Sequence, residues 1–197
     1  MTTVEMPLFP LNTVLFTGGP LTLRIFEPRY LDMVGQCMRE GQGFGVVLIE
    51  EGEEAGGDNE FVTTGTVARI VDFDQLEDGL LGITCRGQQR FRVLDQWVRS
   101  DKLNLGTVEL LPEAPRTPID DDHEPLVDLL ASLLDREEVA PYRQLIDEDW
   151  ASAYWLGCRL AELLPLPLPV KQALLELDDP GQRLDVLRAV LQEHQVL

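Results

Sequence analysis

Residues 112–118 read Pro-Glu-Ala-Pro-Arg-Thr-Pro, three prolines in seven residues with little to bury. A stretch so poor in backbone N–H donors continues neither a helix nor a strand ladder, so it divides the chain into two parts. The hydrophobic period changes across it. Before it, short apolar runs of strand length lie between glycine-containing turns; after it, leucines recur at three- and four-residue spacing. The change predicts a β-rich part over residues 1–112 and a helical part over residues 119–197.

In the first part, residues 44–49 form a short apolar run rich in β-branched side chains, and residues 50–60 an acidic, glycine-rich loop. Residues 66–73 alternate, and Asp78-Gly79 favours a turn into a hairpin partner over residues 80–85. Residues 90–98 and 103–111 supply two more strands, divided by Ser100-Asp101-Lys102. Many short strands with frequent glycines point to a barrel or sandwich. One helix interrupts them. Pro28 suits its first turn, Tyr30, Leu31, Val34, Cys37 and Met38 form a one-sided stripe, and Gly41 stops it.

Beyond the proline seam, Leu126, Leu129, Leu130, Leu133 and Leu134 make one helical stripe, and Ala153, Leu156, Leu160 and Leu163 another. Pro165, Pro167 and Pro169 break the chain, and Leu174, Leu175 and Leu177 mark a short helix. Asp179-Pro180-Gly181-Gln182 has the form of an N-cap and capping box, leading to a face of Leu184, Leu187, Val190 and Leu191. Four such helices make a small bundle.

Chemistry is sparse. The chain holds two lysines, Lys102 and Lys171, and neither stands in the GxxxxGK[ST] loop that cradles phosphates. There is no GxSxG nucleophile elbow, and none of the three serines has a suggestive context. His123 lies among Asp120, Asp121, Asp122 and Glu124, side chains that bind metals elsewhere, but a solvated loop ahead of a helix explains them better. His194 lies near the terminus, where fraying is expected. Asp147-Glu148-Asp149 reads as a helix-start cluster, since adjacent helical residues do not converge on one substrate. No enzyme activity, cofactor or metal is expected.

Formal charge is −19, from 35 acidic and 16 basic side chains. Nucleic acids and anionic membranes select for excess lysine and arginine, so neither is an expected partner. No apolar run approaches the ~20 residues that span a bilayer. No basic-then-apolar leader opens the chain, and a cytoplasmic location is expected. Cys37, Cys85 and Cys158, widely spaced among apolar residues, read as buried free thiols. The local basic exception is Cys85-Arg86-Gly87-Gln88-Gln89-Arg90-Phe91-Arg92. It reads first as an edge strand with solvated charges, second as a site for peptide carboxylates, and third as an RNA contact.

Several phrases in fixed order carry a resemblance. Met6-Pro7-Leu8-Phe9-Pro10-Leu11 and Ile25-Phe26-Glu27-Pro28-Arg29-Tyr30 open it. Gly43 to Ile49, Gly65 to Ile70, Arg86 to Val93, and Ala161-Glu162-Leu163-Leu164-Pro165-Leu166 continue it. Together they resemble the substrate-binding N-terminal domain family of Lon proteases, over nearly the whole chain. Thr17, where that family often has proline, and the proline-rich run at Pro165, Pro167 and Pro169 differ from its pattern. The resemblance implies an α+β fold, with a PUA-like β pseudo-barrel carrying one helix, then a helical bundle. It also implies a free-standing recognition module, without ATPase or peptidase, that binds unfolded polypeptide or a partner protein. Candidate peptide contacts are Arg24, Glu27, Arg29, Tyr30 and Arg90; for Glu27, Arg29 and Tyr30 a network fixing the helix entrance is the stronger expectation. A small hydrolase using dispersed carboxylates and RNA binding through the barrel are the alternatives.

Overall fold

Strand β1, Thr2–Leu11, carries two prolines, and the sheet explains how it tolerates them. The computed structural model describes residues 2–51, 54 and 60–193. β1 pairs antiparallel with β7, Asn104–Leu110, over Thr2 to Leu8, and parallel with β3, Phe44–Glu51, over Leu8 to Leu11. Among the described residues Pro7 therefore has only β7 beside it and Pro10 only β3, so neither missing N–H interrupts a ladder on both sides. Periodicity alone predicts no strand here, because two prolines in ten residues mask it.

The other strands are β2, Pro20–Ile25; β4, Glu60–Phe61; β5, Thr64–Gln75; and β6, Leu81–Val98. Pairing runs β1-β7-β6-β5-β3, and the β1–β3 pair closes the ring. β4 adds to β3, and β2 adds to β6. The expected break between residues 85 and 90 does not exist. β6 is one strand of 18 residues, and register shifts in its pairings with β5 and β7 absorb the twist a strand of that length accumulates. Nor is the arginine-rich segment an edge strand, because β6 lies between β5 on one side and β2 and β7 on the other. Most of the expected acidic loop at residues 50–60 lies outside the described residues.

Each face of the ring has its own apolar cluster. Leu8, Val47, Phe61, Phe91 and Val108 form one. The Phe91 ring lies against two glycines: a Cβ on Gly45 or on Gly65 would sit 2.6 Å from its Cζ. The second cluster joins Phe9, Phe44, Val46, Ala68, Ile83 and Cys85 to helix α1, Pro28–Glu40, through Tyr30, Met33, Val34 and Cys37. α1 ends at Gly41 (φ 66°), whose N–H bonds the Cys37 carbonyl.

Tyr30, Cys37 and Cys85 share this second cluster, and burial pushes their acid groups up, from 10.0 to about 12, from 9.0 to about 11 and from 9.0 to about 12. The unfolded chain releases these protons first as pH rises, so the folded state binds more protons there and loses stability above about pH 9. The urea midpoint of the strand-rich unit is expected to be lower near pH 10 than near pH 7; an unchanged midpoint contradicts the burial.

Met1–Pro112 and Glu113–Leu197 form two compact units. In the second, α2, Glu124–Leu134, α5, Leu168–Glu176, and α6, Pro180–Glu193, each pack on α4, Ala153–Leu163. Leu126, Leu130, Leu156, Leu160, Leu184 and Leu187 are fully buried, as their spacing predicts. A one-turn helix α3, Ala140–Arg143, has no counterpart among the expected helices. Three local expectations change. Pro169 lies inside the first turn of α5, where a missing N–H costs nothing, rather than in a break. Residues 147–149 precede no helix start: Ser152 is the N-cap of α4, accepting from the Trp155 N–H at 3.3 Å. His123 is buried, not solvated, in a 3₁₀ turn (Asp121–His123), with Nδ1 2.5 Å from Asp120 and Nε2 3.2 Å from Asp185. His123, through Asp185, and the Asp122 carbonyl, accepting from Arg188 at 3.2 Å, tie that turn to α6.

Candidate functional site

The phrase Ile25-Phe26-Glu27-Pro28 turns the chain from β2 into α1. Ile25, the last residue of β2, is buried, and Phe26, just past the strand, is 60% exposed. Pro28 then starts the helix, and the Glu27 carbonyl accepts from the N–H groups of Tyr30 and Leu31, both at 3.0 Å.

Three of the predicted residues meet at this entrance. The Arg29 guanidinium is buried, 2.8 Å from the Glu27 carboxylate, and donates to the Lys102 carbonyl at 2.7 Å. Lys102 has a left-handed backbone (φ 67°) in the β6–β7 turn, so Arg29 fastens that turn to the start of α1. Arg29 also covers the Tyr30 ring, 4.6 Å from its centroid, and Tyr30 stacks on Phe9 at 3.8 Å. The entrance is a fixed scaffold, held by charge, stacking and hydrogen bonds together.

Arg24 stands apart from that network. It projects from β2 with its side chain 65% exposed and pairs with Asp78, whose other oxygen accepts from the Leu80 N–H at 3.2 Å. Arg90 is buried on β6, remote in register from β2, which pairs with β6 only over residues 81–86. In the basic segment Arg86 is half-buried and Arg92 exposed, so its three arginines form no surface stripe.

Arg24, Glu27 and Tyr30 do share one feature. They line a cavity of about 380 Å³ with Phe9, Ile25 and Phe26. Residues 22–27 all contribute to it consecutively, with no alternation, so the cavity runs along the edge of β2 rather than over one face. Among the described residues β2 pairs with β6 alone, and its other edge is open. The Gly87 N–H bonds the Gly19 carbonyl at 2.8 Å. By antiparallel alternation, Leu21, Leu23 and Ile25 direct their backbone groups to β6, while Thr22 and Arg24 direct theirs to the open edge.

The Tyr30 hydroxyl is buried and has no hydrogen-bond partner among the described residues. Burial is the main cause of its raised pKa; Arg29 opposes it, and Glu27 and Glu54 add to it. A neutral donor therefore lines the cavity across the working pH range. A second cavity of about 300 Å³ adjoins the first through Thr22, Leu23 and Arg24, and exposed Asp72 and Asp74 line it. Phe9, Ile25 and Phe26 are not among the expected contacts. The adjacent pair Ile25-Phe26 carries the signal, since two apolar neighbours at the end of a strand do not both face one core.

Elsewhere, Glu148 is engaged by Arg143 at 2.8 Å and by the Trp150 indole at 2.6 Å, and those bonds hold its carboxyl below the usual range. Among the described residues no group of three or more His, Cys, Asp or Glu is placed to hold a metal ion. No helix there is long and apolar enough to cross a membrane.

A family model described as the ATP-dependent protease La (LON) substrate-binding domain matches residues 5–193. Lon protease 2 of Myxococcus xanthus is 33% identical over 112 residues, covering 56% of this chain and 12% of that protein. The Lon protease of Anaeromyxobacter dehalogenans is 26% identical over 194 residues, covering 94% of this chain and 23% of that protein. The chain thus spans less than a quarter of the length of these curated relatives. A crystal structure of a Lon N-terminal domain protein from Xanthomonas campestris superposes with TM-score 0.79 at 39% identity, covering 94% of this chain and 98% of that one. The N-terminal domain of Mycobacterium avium complex Lon protease shares the fold, with TM-score 0.66 at 19% identity over 97% of this chain and all of that one.

Proposed function

Because the chain belongs to the ATP-dependent protease La (LON) substrate-binding domain family, we propose that it is a cytoplasmic recognition module that holds polypeptide without cleaving it. The match of that family over residues 5–193 carries the reading. The ligand is an unfolded substrate segment or a partner protein. Residues Arg24, Glu27 and Tyr30 serve as contacts at the β2 cavity and Arg29 positions Glu27 and Tyr30 from within, while Arg90, buried on β6 away from β2, is left out of this site.

Lys171 is engaged within the protein, donating to the Glu162 carbonyl at 2.8 Å. The test is fluorescence anisotropy with a labelled, reduced and carboxymethylated lactalbumin, which cannot fold. Saturable binding with no fragmentation on a gel is expected. A flat titration up to high micromolar protein sinks the reading, and fragments appearing with time would make the chain a hydrolase.

A further inference from the structure

We propose that the ligand of the β2 edge is an extended segment with one bulky apolar side chain flanked by lysine or arginine; this rests on the polypeptide-binding reading and deepens it. Three independent observations converge. First, Thr22 and Arg24 offer backbone donors and acceptors on an open edge, so an extended chain gains main-chain hydrogen bonds by lying beside β2. Edge pairing of this kind is independent of sequence, and neighbouring pockets then choose the side chains.

Second, the adjoining cavity accepts an apolar anchor. Its volume of about 380 Å³ falls within the range of side-chain and small-ligand pockets. Phe9 and Ile25 form buried walls, and Phe26 keeps most of its ring in solvent at the mouth. The buried Tyr30 hydroxyl, with no partner among the described residues, is a donor to a peptide carbonyl entering that space. A buried hydroxyl left unpaired is costly, and a ligand that accepts from it recovers the bond.

Third, the surroundings are acidic. Arg24 is neutralised by Asp78 and Arg29 by Glu27, whereas Asp72 and Asp74 stand exposed on β5, across β6 from Thr22 and Arg24, in the second cavity. The chain as a whole carries −19. A cationic flank is drawn to this edge and an anionic one is repelled.

The test uses the full chain and two fluorescein-labelled peptides, each with a central Phe-Val, one flanked by lysines and the other by glutamates. The lysine peptide is expected to bind about tenfold more tightly at low salt, with the gap narrowing as salt screens the charges. Tyr30→Phe keeps the ring stacked on Phe9 and removes only the hydroxyl. It should weaken the lysine peptide about fivefold while leaving the urea midpoint equal or higher. Thr22→Pro deletes an edge N–H that β6 does not use, and should weaken binding about tenfold with the fold retained. Equal affinity for both peptides, or unchanged affinity in both variants, overturns the proposal. So does a dimer of the chain that Thr22→Pro abolishes, because the edge then serves a second copy. If both variants bind unfolded lactalbumin like the parent chain, the polypeptide-binding reading stands and this edge is not its site; if the parent binds neither lactalbumin nor peptide, both readings fall.

Discussion

Arg183→Ala is expected to destabilise the helical unit by about 3–5 kcal/mol, measured by urea denaturation followed by far-ultraviolet circular dichroism. The Arg183 side chain is fully buried, yet each end of its guanidinium has a task. Nε donates to the Leu174 carbonyl at 2.8 Å and one terminal nitrogen to the Leu177 carbonyl at 2.6 Å. These carbonyls belong to the last turn and C-cap of α5, where no further helical N–H arrives. The other terminal nitrogen points at the Cys158 sulfur, 3.6 Å away, and the guanidinium lies over the Tyr154 ring at 4.8 Å. The stem packs against Gly157, where a Cβ would come within 3.0 Å of Arg183 Cδ. Alanine would remove the donors to both carbonyls and leave a cavity beside α4. Lysine, a point charge without a planar fork, serves one carbonyl well and should recover only part of the loss. A cost below about 1 kcal/mol for alanine would mean that the guanidinium is energetically idle.

Phe91→Ala should cost the strand-rich unit about 3–5 kcal/mol, read from the hydrogen exchange of its β5 and β6 amides. Phe91 is fully buried on β6, and its ring tip occupies space that Gly45 and Gly65 leave open. The void has little chance to collapse, because its walls are strands of a closed ring. The same geometry predicts coupling. The nearest atoms to a Cβ on Gly45 all belong to the side chains of Phe91 and Leu8, so Gly45→Ala is damaging beside phenylalanine and milder beside leucine. At Gly65 the nearest atom is instead the Val46 carbonyl oxygen at 2.3 Å, so Phe91→Leu should not rescue Gly65→Ala. A double-mutant cycle that finds rescue at both glycines, or at neither, contradicts this packing.

The readable parts of the fold share a physical character: they depend on neighbours in sequence. Helical stripes such as Leu126, Leu130 and Leu133, the Gly41 stop, and Asp179 as N-cap, with Oδ1 3.0 Å from the Gln182 N–H, are local and came through. Elements whose partners are distant did not. β1 becomes intelligible only when its prolines are seen to have one neighbouring strand each. β6 reads as two strands because Gly87-Gln88-Gln89 carries little apolar weight, although the strand continues there and its β5 ladder only shifts register. Arg183, fully buried, has no local signature, since the carbonyls that offset its burial belong to α5 and its C-cap, whereas Arg159, equally buried, lies 3.1 Å from Glu162 three residues on in α4. At the candidate site, the helix entrance was legible as a motif. The open edge beside it was not, because an edge is defined by the strand that fails to arrive.

The pairing of Thr2 with Leu110 sets an order of events as well as a shape. As the chain leaves the ribosome, its first strand has no antiparallel partner until nearly all of the strand-rich unit has been made. β1 meets β3 earlier, but only along residues 8–11, so most of the opening segment must wait as an unpaired, partly apolar ribbon. Such non-local closure is slow and exposes the nascent chain to wrong pairings. The helical unit, built from neighbours in sequence, has no comparable delay. Synthesis therefore presents the cell with a half-finished ring first and a fast-folding bundle last.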